Sequence, residues 1–283
     1  MRRHHVTVDV EEVFHSTLLA ERVPEHQWAD LPRRAPGIVS WLLDEMAARD
    51  ARGTFFILGW LAAKEPEMVR RISDAGHEVA AHSWAHRPVS ALGHEGFRAT
   101  VRRSKDLLEQ IVGSPVLGFR APSFSILPGC EWALDVLEEE GYGYDSSLFP
   151  IRVHPQYGYP DGESDPYWIE RPGTRLLEVP PLTLRFLGRR LPAAGGAYLR
   201  FFPLRLFRTA LRQAERRGAP GTLYVHPWDL DPDLPRMRLG ARDALRLYGG
   251  SHRARRRLLR LLEEFRSVPV VETMRRMNGV GSP

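Results

Sequence analysis

An α/β protein built on parallel βαβ units is the fold class that this sequence of 283 residues predicts, and three observations predict it. Short apolar or β-branched runs alternate with stretches of helical periodicity. Glycine and proline punctuate the junctions. Residues able to do chemistry recur at the ends of the apolar runs, where a parallel strand meets its loop. The alternation leaves a barrel and a doubly wound sheet both open.

The elements follow in order. Val6-Thr7-Val8-Asp9-Val10 reads as a first buried strand with acids at its end. Residues 36–49 carry Ile38, Trp41, Leu42, Leu43 and Met46 at helical spacing, and Gly53 then breaks into the strand Thr54-Phe55-Phe56-Ile57-Leu58. A helix over 66–75 capped by Gly76, a strand over 78–81, a helix over 94–111 and a strand over 116–119 continue the pattern. Residues 131–140 make a further helix, ended by Gly141. Residues 150–200 are rich in Pro, Gly and Tyr with weak periodicity and read as long loops. Alternation resumes with a helix over 203–217, a strand over 221–226, a basic helix over 251–265 and a last strand over 268–272. No repeat or low-complexity linker divides the chain, so residues 1–283 read as a single domain.

Composition narrows the function. With 43% hydrophobic and 27% charged residues the chain is globular rather than disordered. The single cysteine, Cys130, excludes a disulfide framework and a thiolate metal cluster, so a metal would need His, Asp and Glu ligands. The N-terminus reaches acidic residues before any apolar stretch long enough for a signal peptide, which places the expected location in the cytoplasm. The net charge of +5 gathers in arginines such as Arg253, Arg255, Arg256 and Arg257. They read as the solvated face of a helix whose leucines turn inward, and no nucleic-acid partner is expected.

Four motifs carry chemistry. In His82-Ser83-Trp84-Ala85-His86 two imidazoles four apart, placed on one face of a helical turn, are able to chelate a divalent ion. Asp9 and Glu11 alternate along an extended segment and so face the same side, although a surface turn of Asp9, Glu11 and Glu12 is the plain alternative. Arg120 stands at the end of a strand, where it would pair with Asp9 or with another acid, and Pro122 fixes a loop that lets Ser123 and Phe124 line a cleft. His226, followed by Pro227 and Trp228, is placed for a general acid under an aromatic roof or for a structural histidine.

In this order the four pieces resemble the polysaccharide deacetylase family with its NodB-homology domain, over about residues 5–275. Thr54 to Gly59 and Gly76-His77-Glu78-Val79 are similar to that family's second and third strands. Asp9 to Glu12, Tyr144 to Pro150, Gly195 to Arg200 and His226 to Asp229 resemble more narrowly the branch found in exosortase-linked exopolysaccharide loci, with a C-terminal extension of the barrel from about 178 to 275.

The resemblance implies a distorted (β/α)7 barrel, related to the TIM barrel, that holds one divalent metal, usually Zn2+, on Glu11, His82 and His86. Asp9 would be the general base, Arg120 the group that orients it, and His226 the general acid. Pro122, Ser123, Phe124, Tyr144, Asp145 and Trp228 would contact substrate, with a backbone N–H after Tyr144 or Asp145 facing the oxyanion. The family's common form has two adjacent aspartates; here Glu11 is preferred over Glu12 as ligand because its spacing puts it beside Asp9. The family's Trp-linked Asp that tunes the acid His has no clear match, and Trp168, Glu178 and Asp145 are the candidates for related roles. The implied substrate is an N-acetylated oligo- or polysaccharide, with acetate and a free amino sugar as products, and a lipid-linked precursor would bring the chain to the membrane periphery. A metal-free cyclic-amide hydrolase related to allantoinase, or a sugar-binding module using Trp84, Trp228, Tyr157 and Tyr159, would share much of the pattern.

Overall fold

The computed structural model describes residues 3–152 and 157–279. Its strands are β1 (Arg3–Val10), β2 (Thr54–Ile57), β3 (Glu78–Ala81), β4 (Gly118–Phe119), β5 (Tyr144–Asp145), β6 (Tyr167–Arg171), β7 (Thr174–Glu178), β8 (Thr183–Phe186), β9 (Arg189–Pro192), β10 (Thr222–Val225) and β11 (Arg266–Ser267). Its α-helices are α1 (Ala35–Ala47), α2 (Gly59–Lys64), α3 (Pro66–Asp74), α4 (Val89–Val112), α5 (Trp132–Glu139), α6 (Ala197–Phe201), α7 (Leu204–Arg216), α8 (Ala241–Tyr248), α9 (Ser251–Glu264) and α10 (Val270–Met277).

The strands β10, β1, β2, β3, β4, β5 and β7 run side by side, all parallel, and β6 adds an antiparallel edge. After β7 the chain reaches the opposite edge: Leu182 N–H donates to Thr222 O at 2.9 Å, and Tyr224 N–H donates to Ala194 O at 2.8 Å. The sheet thereby curls toward closure as a distorted (β/α) barrel. Gly195 is what permits this approach, because with φ at +143° a Cβ would lie 1.7 Å from Tyr224 O.

Side chains alternate across this sheet. Val6, Val8, Phe55 and Ile57 face the helices, whereas Phe56, Ala80, Tyr144 and Leu177 fill the interior, which Val270 and Met274 of α10 help to close. The register puts Asp9 beside Phe56, Phe56 beside Ala80 and Phe119 beside Asp145, so the strand ends on this rim converge.

Two expectations need correction. Residues 150–200 are not long loops: outside 153–156, which lie beyond the described residues, they hold two β-hairpins and a short helix. Half-exposed edge strands such as Tyr-Trp-Ile-Glu-Arg carry too little apolar alternation to stand out. The expected strand over 268–272 shrinks to Arg266–Ser267 on the start of β1, and Pro269 then starts α10. Val268, Val270 and Val271 mimic a strand, yet Val270, Thr273 and Met274 bury a helical face.

Candidate active site

The four motifs meet at one rim of the sheet, in a cavity of about 410 Å³. Asp9 lies near the end of β1, His82 directly after β3, Arg120 directly after β4 and His226 directly after β10. Parallel strands end their ladders together, so side chains far apart in sequence share one rim.

Arg120 is fully buried and anchors the arrangement. Its Nη1 donates to Asp9 Oδ1 and to Thr7 Oγ1, both at 2.7 Å, while Nε donates to Ser146 O at 3.1 Å and Nη2 to Ser146 Oγ at 2.8 Å. Its guanidinium also covers the Phe56 ring at 4.1 Å. Burial pushes the Asp9 carboxyl up, but Arg120, with His82 and His226 behind it, outweighs burial and holds it below its ordinary value. Asp9 is therefore ionised, with Oδ1 fixed and Oδ2 turned toward His226 Nε2 at 3.9 Å.

Glu11, His82 and His86 each aim one ligand atom at a common point, and these atoms lie within 4.8 Å of one another. The donor set fits a divalent ion. His82 donates from Nδ1 to Arg120 O at 2.8 Å, which leaves Nε2 as the free lone pair, and burial holds its pKa down at about 4. Glu11 Oε2 is buried with no aligned hydrogen bond among the described residues, although His86 Nε2 lies only 3.0 Å away. Such crowding of unmatched lone pairs is what a cation relieves.

The path from His82 to His86 is not the helical turn expected. It is a loop with positive φ at Ser83 (65°) and at His86 (52°). It rests on the start of α2, where Gly59 N–H donates to Ser83 O at 2.8 Å and Trp60 N–H to Trp84 O at 2.9 Å. Glu12 points elsewhere, accepting from Ala35 N–H at 2.7 Å.

His226 lies across the cleft, 3.7 Å from Glu11 Oε1 through Nε2. Its Nδ1 donates to Asp229 Oδ2 at 2.8 Å, and its ring stacks on Trp228 with centroids 4.3 Å apart. Burial disfavours its cation, but Asp229 first, then Glu11 and Asp9, outweigh burial and raise its pKa. Asp229 is held in turn by the buried Arg200, whose Nε sits 3.0 Å from Oδ1. Neither Asp229 nor Arg200 was expected to do this. The signal was the i, i+3 spacing in His226-Pro227-Trp228-Asp229, which lets one carboxylate meet both the ring and the backbone N–H of His226.

Other expected contacts fare unevenly. Ser123, Phe124 and Trp228 line the cavity together with Tyr157, Tyr198 and Tyr224. Tyr144, Asp145 and Pro122 do not. Tyr144 sends its hydroxyl to Glu78 at 2.9 Å, and Asp145, fully buried, accepts from Ser147 Oγ at 2.5 Å. Pro122 is buried within the turn that presents its two successors. The N–H of Ser146 is committed to Phe119 O at 2.9 Å, so that peptide offers no oxyanion donor. Glu178 and Trp168 do not touch His226: Glu178 accepts from Leu148 N–H at 3.1 Å, and Trp168 lies under Arg175.

Two family models match the chain, one after the other. Residues 29–140 match the family model described as polysaccharide deacetylase, and residues 146–275 match one described as a domain of unknown function (DUF3473). A peptidoglycan-N-acetylglucosamine deacetylase of Bacillus cereus is 24% identical over 140 residues, 43% of this chain and 51% of that protein. The chain spans about half the length of the curated relatives it matches. Among solved structures, a Mycobacterium smegmatis protein with a provisional polysaccharide deacetylase assignment superposes with a TM-score of 0.64 at 19% identity, covering 99% of this chain and 93% of that one. A structure described as Puue allantoinase gives 0.64 at 17% identity, covering 98% and 90%. At such identities the likeness is one of fold.

Proposed function

We propose, from the premise that this chain carries a polysaccharide deacetylase domain, that the cleft is the centre of a metal-dependent hydrolase. It removes N-acetyl groups from amino sugars of a bacterial exopolysaccharide or its precursor. The observation that carries this reading is the convergence of Glu11, His82 and His86 between an ionised Asp9 and a His226 backed by Asp229. A sugar-binding module needs neither the ligand set nor the acid and base, and the allantoinase-like fold alone does not account for them.

Glu11, His82 and His86 would hold the ion. When bound there, a divalent ion such as Zn2+ acidifies water and polarises the amide carbonyl. Asp9 Oδ2 accepts the proton of the attacking water while Arg120 keeps Oδ1 occupied, so only one carboxylate oxygen is available and its direction is set. The water oxygen bonds to the acetyl carbon. The C–N bond then breaks as His226 Nε2 delivers its proton to the departing nitrogen, leaving acetate and a free amine. Asp229 keeps His226 protonated until that moment and fixes which nitrogen faces the substrate. Phe124, Tyr157, Tyr198 and Trp228 supply apolar walls against which sugar rings pack.

The test is metal content by elemental mass spectrometry together with acetate release from N-acetylglucosamine oligomers, for the wild type and His82→Ala. Expected is about one ion per chain, with metal and activity lost together in the variant. A wild type that takes up no metal on reconstitution, or a variant that releases acetate at the wild-type rate, overturns the reading.

A further inference from the structure

Outside the cleft one feature is built against the usual rules for a protein surface. The strands β8 and β9 form a separate two-stranded sheet, with Phe186 opposite Arg189 and a two-residue tip, Leu187-Gly188. Leu187 is 87% exposed and Phe186 57%, adjacent on one tip, whereas the root of the hairpin is tied down through the buried Leu184 and the partly buried Leu191, which packs against the core. Both tip residues have positive φ, 47° at Leu187 and 75° at Gly188. Such tips favour Asn or Asp at the first position, because a branched side chain is strained in the left-handed region. A leucine there is disfavoured both by its backbone and by its exposure. Strain kept at an exposed apolar tip points to a use in binding.

The surroundings are cationic. Arg185 and Arg189 flank the tip, are exposed, and make no side-chain ion pair or hydrogen bond among the described residues. The helix α7 braces the hairpin through Gln213, which bonds both N–H and C=O of Arg185, and it presents Arg212 and Arg216 to solvent. Arg190 ties the hairpin to the neighbouring loop at Pro160 O and Gly162 O. Three carboxylates line the groove beneath: Asp165 is engaged by Arg217 at 2.7 Å, Asp161 faces Arg152 at 3.5 Å, and the exposed Glu163 is outnumbered there by Arg152, Arg185, Arg189, Arg190 and Arg217.

We propose that the Thr183–Pro192 hairpin docks the protein reversibly on an anionic phospholipid surface, with Phe186 and Leu187 entering the interface and Arg185 and Arg189 meeting the headgroup phosphates. An aromatic and an aliphatic side chain on a braced finger lose little conformational freedom on insertion, and arginine forks suit phosphate. Two apolar side chains and a few cations give weak binding that falls as salt rises. No hairpin residue lines the catalytic cleft, so this inference stands apart from the deacetylase reading.

The test is co-sedimentation of the full chain with vesicles of phosphatidylglycerol and phosphatidylcholine, against vesicles of phosphatidylcholine alone. The variant combines Phe186→Ser with Leu187→Asn, the second change supplying a residue that the turn prefers. Expected is binding to the anionic vesicles that drops about tenfold or more in the variant, with thermal melting and size-exclusion elution unchanged. Arg185→Glu with Arg189→Glu should abolish the preference for phosphatidylglycerol. Absence of wild-type binding, equal binding by the apolar variant, or equal binding to neutral vesicles overturns the proposal. A shift of the free protein to a smaller species in the apolar variant also overturns it, by assigning the tip to a second copy of the chain.

Discussion

Between residues 3 and 145 the sheet is made of short, parallel, buried strands, and Asp9, His82 and Arg120 stand at or just past their ends. Between 146 and 275 the chain builds two hairpins, several helices and the further parallel strands β7 and β10, the second leading into His226, and its contributions arrive by less regular routes. Arg200 comes from α6 and Asp229 from the turn after His226, while Tyr157 and Tyr198 reach the cleft wall from separate segments. The first region supplies the base and two of the three ligands at strand ends, Glu11 and His82, and adds His86 through the positive-φ loop after β3. The second supplies an acid and its supports through specific side-chain bonds. Residues set by the ladder tolerate variation around them, whereas those set by a chain of polar contacts depend on each link.

Substitution of Asp9 should give the largest effect that separates the two. Asp9→Asn keeps the shape and an acceptor for Arg120 but removes the base. It should lower kcat about 10²- to 10⁴-fold while metal content stays at the wild-type level. Near-normal turnover would take the base role away from the first region.

Asp229→Asn probes the second region and should act more gently, lowering kcat about ten- to hundredfold. The sign of its pH effect is fixed. His226 must be protonated to act, Asp229 raises its pKa, and activity falls as pH rises through that value. Removing the carboxylate lowers the pKa, so the alkaline limb of the kcat profile should move to lower pH. An unmoved limb would mean that Asp229 only shapes the turn.

Much of the first region was legible because its chemistry follows from period and position. Apolar runs ending in Asp9, His82 and Arg120 state both the strand and the rim. The loop from His82 to His86 was not legible, since i, i+4 spacing fits a helical turn as well as it fits a loop with two positive φ values. In the second region His226 was found for the same reason as the others, but Asp229 was passed over because its role depends on a local turn. Arg200 was beyond reach: its partner lies 29 positions away with no periodic relation to it. The hairpins escaped because half-exposed edge strands mix Arg, Glu and aromatic residues without clean alternation.

The smallest effect is expected at the seam, where Asp145 of the first region meets Glu178 of the second on paired strands. Both carboxyls are fully buried. Burial is the main cause of their raised pKa values: Asp145 is lifted to about 6 despite its bonds to Glu178 and Ser147, and Glu178, burdened further by the charge of Asp145, is lifted well above the ordinary range. A carboxyl whose pKa is raised by folding stabilises the folded state fully below its unfolded pKa, near 4, and loses that contribution as pH rises through the folded value. Thermal stability should therefore decline between about pH 4 and pH 6 by roughly 1 kcal/mol per proton and pH unit, on top of other titrations. Glu178→Gln keeps an acceptor for Leu148 N–H and offers Asp145 a permanent N–H donor, so Asp145 ionises at lower pH without a proton to share. The variant should melt at or above the wild-type temperature at pH 8, and its decline from pH 4 to pH 6 should be shallower. A wild-type curve that is flat over this range, or a variant that parallels it, would show that the two regions are joined by packing and backbone pairing rather than by a shared proton.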